Sequence, residues 1–176
     1  MTKLSHLAYI ALGVVAESQP CSGYAVMKDF QGSSSTYFSG SAGAIYPLLR
    51  RLHASGLIKE TRTKAGSRVR RTYSITRKGS GALEEWLSAP VPQEDVAFMV
   101  DLLRARTLFF ERLSQPKRRA FVKDARALLN QRILEFESRL KDSTKYTKID
   151  HVSFHSVVMI DRARVAWLDL VEKELC

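Results

Sequence analysis

The residues whose types and spacing could do chemistry are cations and one tyrosine. Tyr46 and Arg50 lie in "SAGAIYPLLRRLHASG", residues 41–56, and Lys64, Arg68, Arg70 and Arg71 crowd around the short stretch "AGS". Guanidinium and ammonium groups gathered at a turn suit the binding of phosphate oxygens. The charge balance points the same way. The chain carries a net +10, and residues 1–89 hold 12 Lys/Arg against 5 Asp/Glu. Residues 90–176 hold 16 against 13, so the basic excess is concentrated in the first half. That imbalance predicts a polyanionic partner, nucleic acid or an anionic membrane surface.

Other chemistries find less support. His151 and His155 stand four apart and could share a helix face, but Asp150 is the only carboxylate beside them, so no metal or other cofactor is expected. Cys21 and Cys176 are the only cysteines, which argues against a disulfide framework and for a reducing, cytoplasmic setting. Cys21 as a redox sensor is a weaker reading than a buried, idle thiol. Trp86, Trp167, Phe109 and Phe110 could line an effector pocket, although aromatics at helical spacing are more often core. No Ser/His/Asp set, phosphate loop or carboxylate pair stands at a useful spacing, so an enzyme is not expected. "LAYIALGVVA" resembles the apolar part of an export signal, but one lysine precedes it and His6 interrupts it; a buried helix is the preferred reading. No run of 18 apolar residues exists to span a membrane.

The elements that must position the cations follow from periodicity. Leu4 to Glu17 reads as a helix apolar on nearly all faces, needing cover from its surroundings or a second subunit, and Pro20 closes it. Ser22 caps a short helix "GYAVMKDF" that carries Tyr24 near its start. "QGSSSTYFSG" reads as a loop. The helix of residues 41–56 starts at a serine and stops at Gly56. Stepped at 100° per residue, Ile45, Leu48, Leu49 and Leu52 form its core stripe, while Gly43, Pro47 and Arg50 face outward with Tyr46 and Arg51 on the flanks. Pro47 frees the carbonyl of Gly43, a cost reduced on an outward face. "LIKETRTK" and "VRRTYSIT" then read as two strands joined by "AGS", with Val69, Arg71, Tyr73 and Ile75 on one face of the second. "TRKG" leads into a helix through "ALEEWL". Three helices and a hairpin in this order make a winged helix-turn-helix.

"SAPVPQED" predicts a boundary between residues 1–89, expected to be a DNA-binding domain, and residues 90–176, expected to be a helical dimerisation domain and a candidate for effector sensing. In the second part Val96, Met99, Leu103, Phe110 and Leu113 follow helical spacing, with Arg106 in one slot. A helix from about Lys117 to Lys141 presents Phe121, Ala125, Leu128, Phe136 and Leu140; after "DSTKYTKID" a last helix presents Phe154, Val158, Val165, Leu168 and Leu175. Such narrow stripes predict a homodimer that shares them, through Val96, Met99, Leu103, Phe110, Phe154, Val158, Val165 and Leu168. The fold class expected is mainly α with a small β-hairpin.

Ser41, Ala42, Gly43 and Ala44 give the start of the Tyr46 helix almost no side-chain bulk, so its backbone N–H groups can approach phosphate. No Arg, Lys, Asn or Gln stands there to read bases directly. Readout should lean on shape and on apolar contact from Ala42 and Ala44, with Tyr46 and Arg50 reaching phosphate or a base edge. The basic hairpin would lie along the backbone or enter the minor groove.

Three stretches, "SGYAVMKDF", "SAGAIYPLLRRLHASGLI" and "RRTYSITRKG", together with the leading helix, resemble the PadR family of bacterial transcriptional regulators over residues 4–89. The resemblance implies a winged helix-turn-helix homodimer on double-stranded operator DNA, usually a repressor, released in several members by a small molecule or stress. It implies that the Tyr46 helix is the recognition helix and that Tyr24, Ser41, Gly43 and Tyr46 stand at DNA-contact positions. Ser22 completes the expected contact set. The second half resembles, by pattern, the longer helical dimerisation domain of one subgroup. The chain departs from the family in its Ser-rich loop and in Cys21–Ser22, where His often precedes Gly. A winged helix used as a protein-interaction adaptor is the competing expectation.

Overall fold

The computed structural model describes residues 4–32, 41–65, 68–93, 101–142 and 144–176. The chain divides into two compact units, Met1–Val91 and Pro92–Cys176. The first contains α1 (His6–Ser18), α2 (Gly23–Gly32), α3 (Ala42–Ala54), β1 (Ile58–Ala65), β2 (Arg68–Ile75) and α4 (Arg77–Ser88). The second contains α5 (Leu102–Thr107), a 3-10 turn at Phe110–Arg112, α6 (Gln115–Leu140) and α7 (Lys148–Leu175).

In the first unit one core collects an apolar face from every element. Leu12 and Val15 of α1, Val26 of α2, Ile45, Leu49 and Leu52 of α3 and Ile58 of β1 are all but inaccessible to solvent. Each such side chain contributes roughly 1.5–3 kcal/mol by leaving water. The α1 helix is therefore covered by its own unit, with Leu7, Ile10 and Val14 half-buried around the same core. Tyr9 stacks flat on Trp86 of α4 at 5.0 Å, so that tryptophan ties two helices together. The expected stripe of α3 is the one that is buried, and the helix runs unbroken through Pro47. Its end is sharp because Gly56 takes φ 71°. In that conformation Gly56 N–H bonds to His53 O and Leu57 N–H to Leu52 O, which satisfies the last carbonyls and turns the chain into β1.

The hairpin pairs Ile58 with Ile75 and Ala65 with Arg68 in antiparallel register. Each strand is thus one residue displaced from the sequence expectation. Leu57 is buried before β1 begins, and Thr76 has left β2 to cap α4. Thr76 Oγ1 accepts from Gly79 N–H at 3.0 Å, so "TRKG" is the first turn of α4 rather than a lead into it. Gln31 and Gly32, expected in the loop, extend α2. The rest of that loop, residues 33–40, lies outside the described residues, as do Val96 and Met99.

The second unit differs more from expectation. No single helix runs through Leu103 to Leu113: α5 stops at Thr107, whose hydroxyl donates to Arg104 O at 2.8 Å and competes with the helical pattern. Phe110 is then free to turn inward, edge-on to Phe121 at 5.3 Å. Arg106 occupies an apolar slot because its guanidinium lies 4.4 Å from the Phe121 ring. In α6 the buried stripe is Val122, Ala125, Leu129, Ile133 and Phe136, while Leu128, expected inside, is exposed. The α6 and α7 helices run antiparallel, joined by Arg126 to Asp169 and Glu172, by Arg132 to Asp161 and by Arg162 to Glu137. Asp161 is buried, and burial pushes its carboxyl above the ordinary carboxylate range against the pull of Arg132 and Arg164. Of the residues expected to meet a second subunit, Phe110, Val158 and Leu168 are buried within this unit. Leu103, Phe154 and Val165 are half-buried against the same clusters. Packing of α6 on α7 within one chain already uses these stripes. Leu175, expected on the last stripe, is exposed.

Candidate nucleic-acid interface

The start of α2, the outer face of α3 and the strand β2 enclose a shallow cavity of about 390 Å³. Ser22, Gly23, Tyr24, Tyr46, Arg50, Arg70, Arg71 and Tyr73 line it. Six of these were expected at a DNA contact from sequence: Ser22, Tyr24, Tyr46, Arg50, Arg70 and Arg71. Each is placed by a local cause. Ser22 Oγ accepts from Ala25 N–H at 3.1 Å, which fixes the first turn of α2 and with it the exposed Tyr24. Tyr46 follows the buried Ile45 on α3 and is 39% exposed, a ring with one side on protein and one toward solvent. The start of α2 is a glycine at Gly23, where a Cβ would fall 2.6 Å from Tyr46 Cε1. Backbone therefore packs directly against the tyrosine ring and restricts it. Arg70 and Arg71 are consecutive on β2 and so leave opposite faces of the hairpin, yet both reach the cavity rim.

Of the remaining expected residues, Ser41, Gly43 and Ala44 do not line this cavity. Ser41 is the exposed N-cap position of α3, Ala42 opens the helix, Gly43 is exposed and Ala44 half-buried. Lys64 and Arg68 belong to the ends of the strands nearest the turn, paired with Val69 and Ala65. The hairpin is anchored beneath the cavity by a short bridge in which Cys21 and Tyr73 exchange backbone bonds of 3.0 and 2.8 Å. Cys21 is buried there, and burial pushes its thiol up, away from the reactive thiolate.

Five contributors were not singled out from sequence, among them Tyr73, which lines the cavity. Gly23 is one; a helix-start glycine gives no hint of the ring that will press on it. Lys28, one turn after Tyr24, places Nζ 6.0 Å from that ring. Arg62 and Glu60 are the others. Glu60 accepts from Arg62 Nε at 2.6 Å and from the Tyr73 hydroxyl at 3.3 Å, with Arg71 at 4.0 Å.

A surface that joins a small-residue helix start, two tyrosines and several arginines on a winged-helix frame invites comparison with known proteins. Residues 11–85 match the Transcriptional regulator PadR-like family. The matched residues all lie in the first unit, Met1–Val91. Comparison with curated proteins finds no match. Among solved structures, Bacillus subtilis PadR in complex with operator DNA is similar with a TM-score of 0.81 at 20% identity, over 98% of this chain and 100% of that one. The same protein with p-coumaric acid gives 0.75 at 20%, over 96% and 98%. The PadR-like regulator BC1756 of Bacillus cereus gives 0.77 at 22%, over 96% and 97%. The Vibrio cholerae virulence activator AphA gives 0.67 at 22%, over 96% and 97%. At these identities the likeness shows the fold: mainly helical, with a two-stranded wing.

In the first unit, Glu60 gives the wing a pH dependence. Its carboxyl is held below the usual range, first by the hydrogen bond from Arg62, then by the charges of Arg62 and Arg71 and the Tyr73 hydroxyl. A lowered folded value means that the stabilisation is complete above the unfolded value, about 4.3, and is lost as pH falls through the folded one. The melting-temperature difference between the wild type and Glu60→Gln should therefore hold from pH 7 to 5 and shrink below about pH 4. A difference independent of pH would show that the charge of Glu60 contributes nothing to the wing.

Among the described residues no three His, Cys, Asp or Glu side chains cluster as metal ligands. Asp150 is instead spent on the start of α7, where its carboxylate accepts from Thr147 N–H at 2.8 Å. The four candidate pocket aromatics have separate environments. Trp86 is stacked on Tyr9, Phe110 is buried, Phe109 is exposed, and Trp167 lines a cavity of about 300 Å³ with Asp101, Arg104, Ile160, Ala163 and Arg164. No helix of the described residues is long and apolar enough to cross a membrane.

Proposed function

We propose that the chain is a sequence-specific DNA-binding repressor that acts as a homodimer on a pseudo-palindromic operator. The observation that carries this is the cavity where Tyr24, Tyr46, Arg50, Arg70 and Arg71 converge beside the small-residue start of α3. Arginine side chains and a helix N-terminus supply phosphate binding, and Tyr24 and Tyr46 supply flat apolar contact. The solved complex of Bacillus subtilis PadR with operator DNA supports the same use of the fold. AphA is described as an activator, so the sign of regulation here is the finer part of the proposal.

Salt dependence tests the electrostatic part. Two protomers, each offering Arg50, Arg70 and Arg71, would contact at least six phosphates. The log of the duplex-binding constant should then fall against log salt with a slope of about −5. Fluorescence anisotropy with a mixed-sequence duplex between 50 and 200 mM salt, values bracketing the range where such contacts weaken, reads this directly. Affinity independent of salt would instead favour a protein-interaction adaptor.

The dimer is proposed on a face of α7 that sequence reading had not isolated. Ile149, Val152, Met159, Ile160 and Leu170 are all exposed. At 100° per residue they fall within about 100° of one another, an apolar stripe facing away from α6. A second copy would remove it from water. Ile160→Glu should convert a particle of about twice 19.9 kDa into a monomer while leaving helix content unchanged, as measured by light scattering and circular dichroism. A wild-type monomer would contradict the proposal. The cavity at Trp167 is the proposed seat of a small-molecule effector, a reading that the p-coumaric acid complex of Bacillus subtilis PadR supports.

A further inference from the structure

The hairpin strands carry six cations, Lys59, Arg62, Lys64, Arg68, Arg70 and Arg71, and a single acid, Glu60. A carboxylate on a phosphate-binding element opposes its function unless it has one of its own. Its placement is informative. Arg62 and Arg71 are direct cross-strand partners, an arrangement in which like charges repel. Glu60, the neighbour of Arg62 on the same face, contacts both: Arg62 Nε at 2.6 Å and Arg71 Nη1 at 4.0 Å. Its side chain is only 10% exposed, whereas those of Arg62 and Arg71 are 64% and 56% exposed. The Tyr73 hydroxyl donates to the second carboxylate oxygen at 3.3 Å, and Tyr73 is itself buried and bridged to Cys21. The carboxylate is thus fixed from below and holds two exposed arginines from beneath.

We propose that Glu60 is a positioning residue that restrains Arg62 and Arg71 and so sets the ratio of sequence-specific to non-specific duplex binding. This rests on the DNA-binding reading above. An unrestrained arginine neutralises any phosphate within reach, and counterion release then favours every duplex alike. An arginine paired with Glu60 must exchange a carboxylate for a phosphate. That exchange succeeds best where the groove presents phosphate along the direction the arginine already takes. Arg71 lines the candidate interface, so its direction is part of the readout, while Arg62 is the partner that repulsion would otherwise drive away.

The test compares the full-length wild type with Glu60→Gln and Glu60→Asp on two duplexes of equal length, one recovered from a binding selection and one scrambled. Glu60→Gln keeps acceptor geometry for Tyr73 but lacks the charge. It should bind the scrambled duplex about tenfold more tightly at moderate salt, with a log–log salt slope steeper by about 1 to 2. Affinity for the selected duplex should stay within about threefold, so the specificity ratio falls about tenfold. Glu60→Asp retains the charge and should recover most of the ratio. Independently of DNA, the Arg62 Nε–H should exchange slowly in the wild type and rapidly in Glu60→Gln, read by nitrogen-15 NMR. If Glu60→Gln is unfolded, Glu60→Gln/Arg62→Gln removes the facing cation too, and its ratio should still fall because Arg71 is released. Wild-type protein that binds neither duplex would remove the DNA-binding reading and this inference with it. Wild-type binding with an unchanged ratio and slope in the folded variants would overturn the role of Glu60 alone.

Discussion

Replacing Tyr46 and Arg70 together by alanine should weaken binding to a selected duplex by roughly a hundredfold, with each single change costing about tenfold. The two side chains reach one cavity from different elements, Tyr46 from α3 and Arg70 from β2. Tyr46 offers an aromatic face held in place by the backbone at Gly23, so little freedom is lost when it meets a groove. Arg70 offers a charge-assisted contact to phosphate, and its removal should reduce the salt slope by about 1 per protomer. Both residues are exposed, so the core of the unit is unaffected and the circular-dichroism spectrum should not change. Because they share a cavity, their effects need not add, and the difference from additivity measures their coupling. Unchanged duplex affinity in the double variant would remove this cavity from the interface.

Among the described glycines of the first unit, Gly79→Ala should be the most damaging substitution. A Cβ there would lie 2.0 Å from Leu57 O and 2.9 Å from Ile75 Cγ1. The carbonyl cannot swing aside, because it accepts from Thr76 N–H at 3.0 Å and from Thr76 Oγ1 at 3.1 Å. The alternative is to lift the start of α4 off the hairpin, which would disturb the Tyr9–Trp86 stack and the position of β2 together. Overpacking of this kind costs about 3 kcal/mol, a large share of the 5–15 kcal/mol typical of a domain. The melting transition of the unit should fall by about 15 °C. Gly81→Ala is the matched control. Nothing lies within 4 Å of its Cβ position, and alanine in a helix interior should be neutral or stabilise by about 0.5–1 kcal/mol. Equal melting temperatures for the two variants would contradict the packing described for α4.

The parts of the structure that sequence could reveal are those governed by local rules. The α3 stripe was legible because Ile45, Leu48, Leu49 and Leu52 repeat at helical spacing beside polar or small neighbours, and all four are buried. Ser22 was legible as a cap because capping is a three-residue interaction. The hairpin was legible to within one residue, since alternation of Tyr73 and Ile75 with Thr72 and Ser74 leaves only the ends ambiguous. Features set by distant partners were not legible. Gly23 and Gly79 look alike in sequence to Gly81, and only the approach of Tyr46 and of Leu57 O separates them. Glu60 reads as a solvated charge until Arg71 and Tyr73 arrive on the neighbouring strand. In α7 two apolar faces share one helix, so a reading that seeks one stripe finds Val158 and Leu168 and passes over Ile149 and Met159. Leu128 fails for the related reason that, over the 26 residues of α6, an angular error of one position accumulates and moves a leucine from core to solvent.

The central claim is that the full chain reads DNA sequence through the α2–α3–wing face. The most direct measurement is selection from a random duplex library by the full-length protein, followed by sequencing of what is retained. The account predicts enrichment of an inverted repeat whose half-sites lie about 10 base pairs apart, or a multiple of that, with enrichment lost in the Tyr46→Ala/Arg70→Ala variant. Retained DNA with no enriched motif, or the same motif enriched by the double variant, would contradict it.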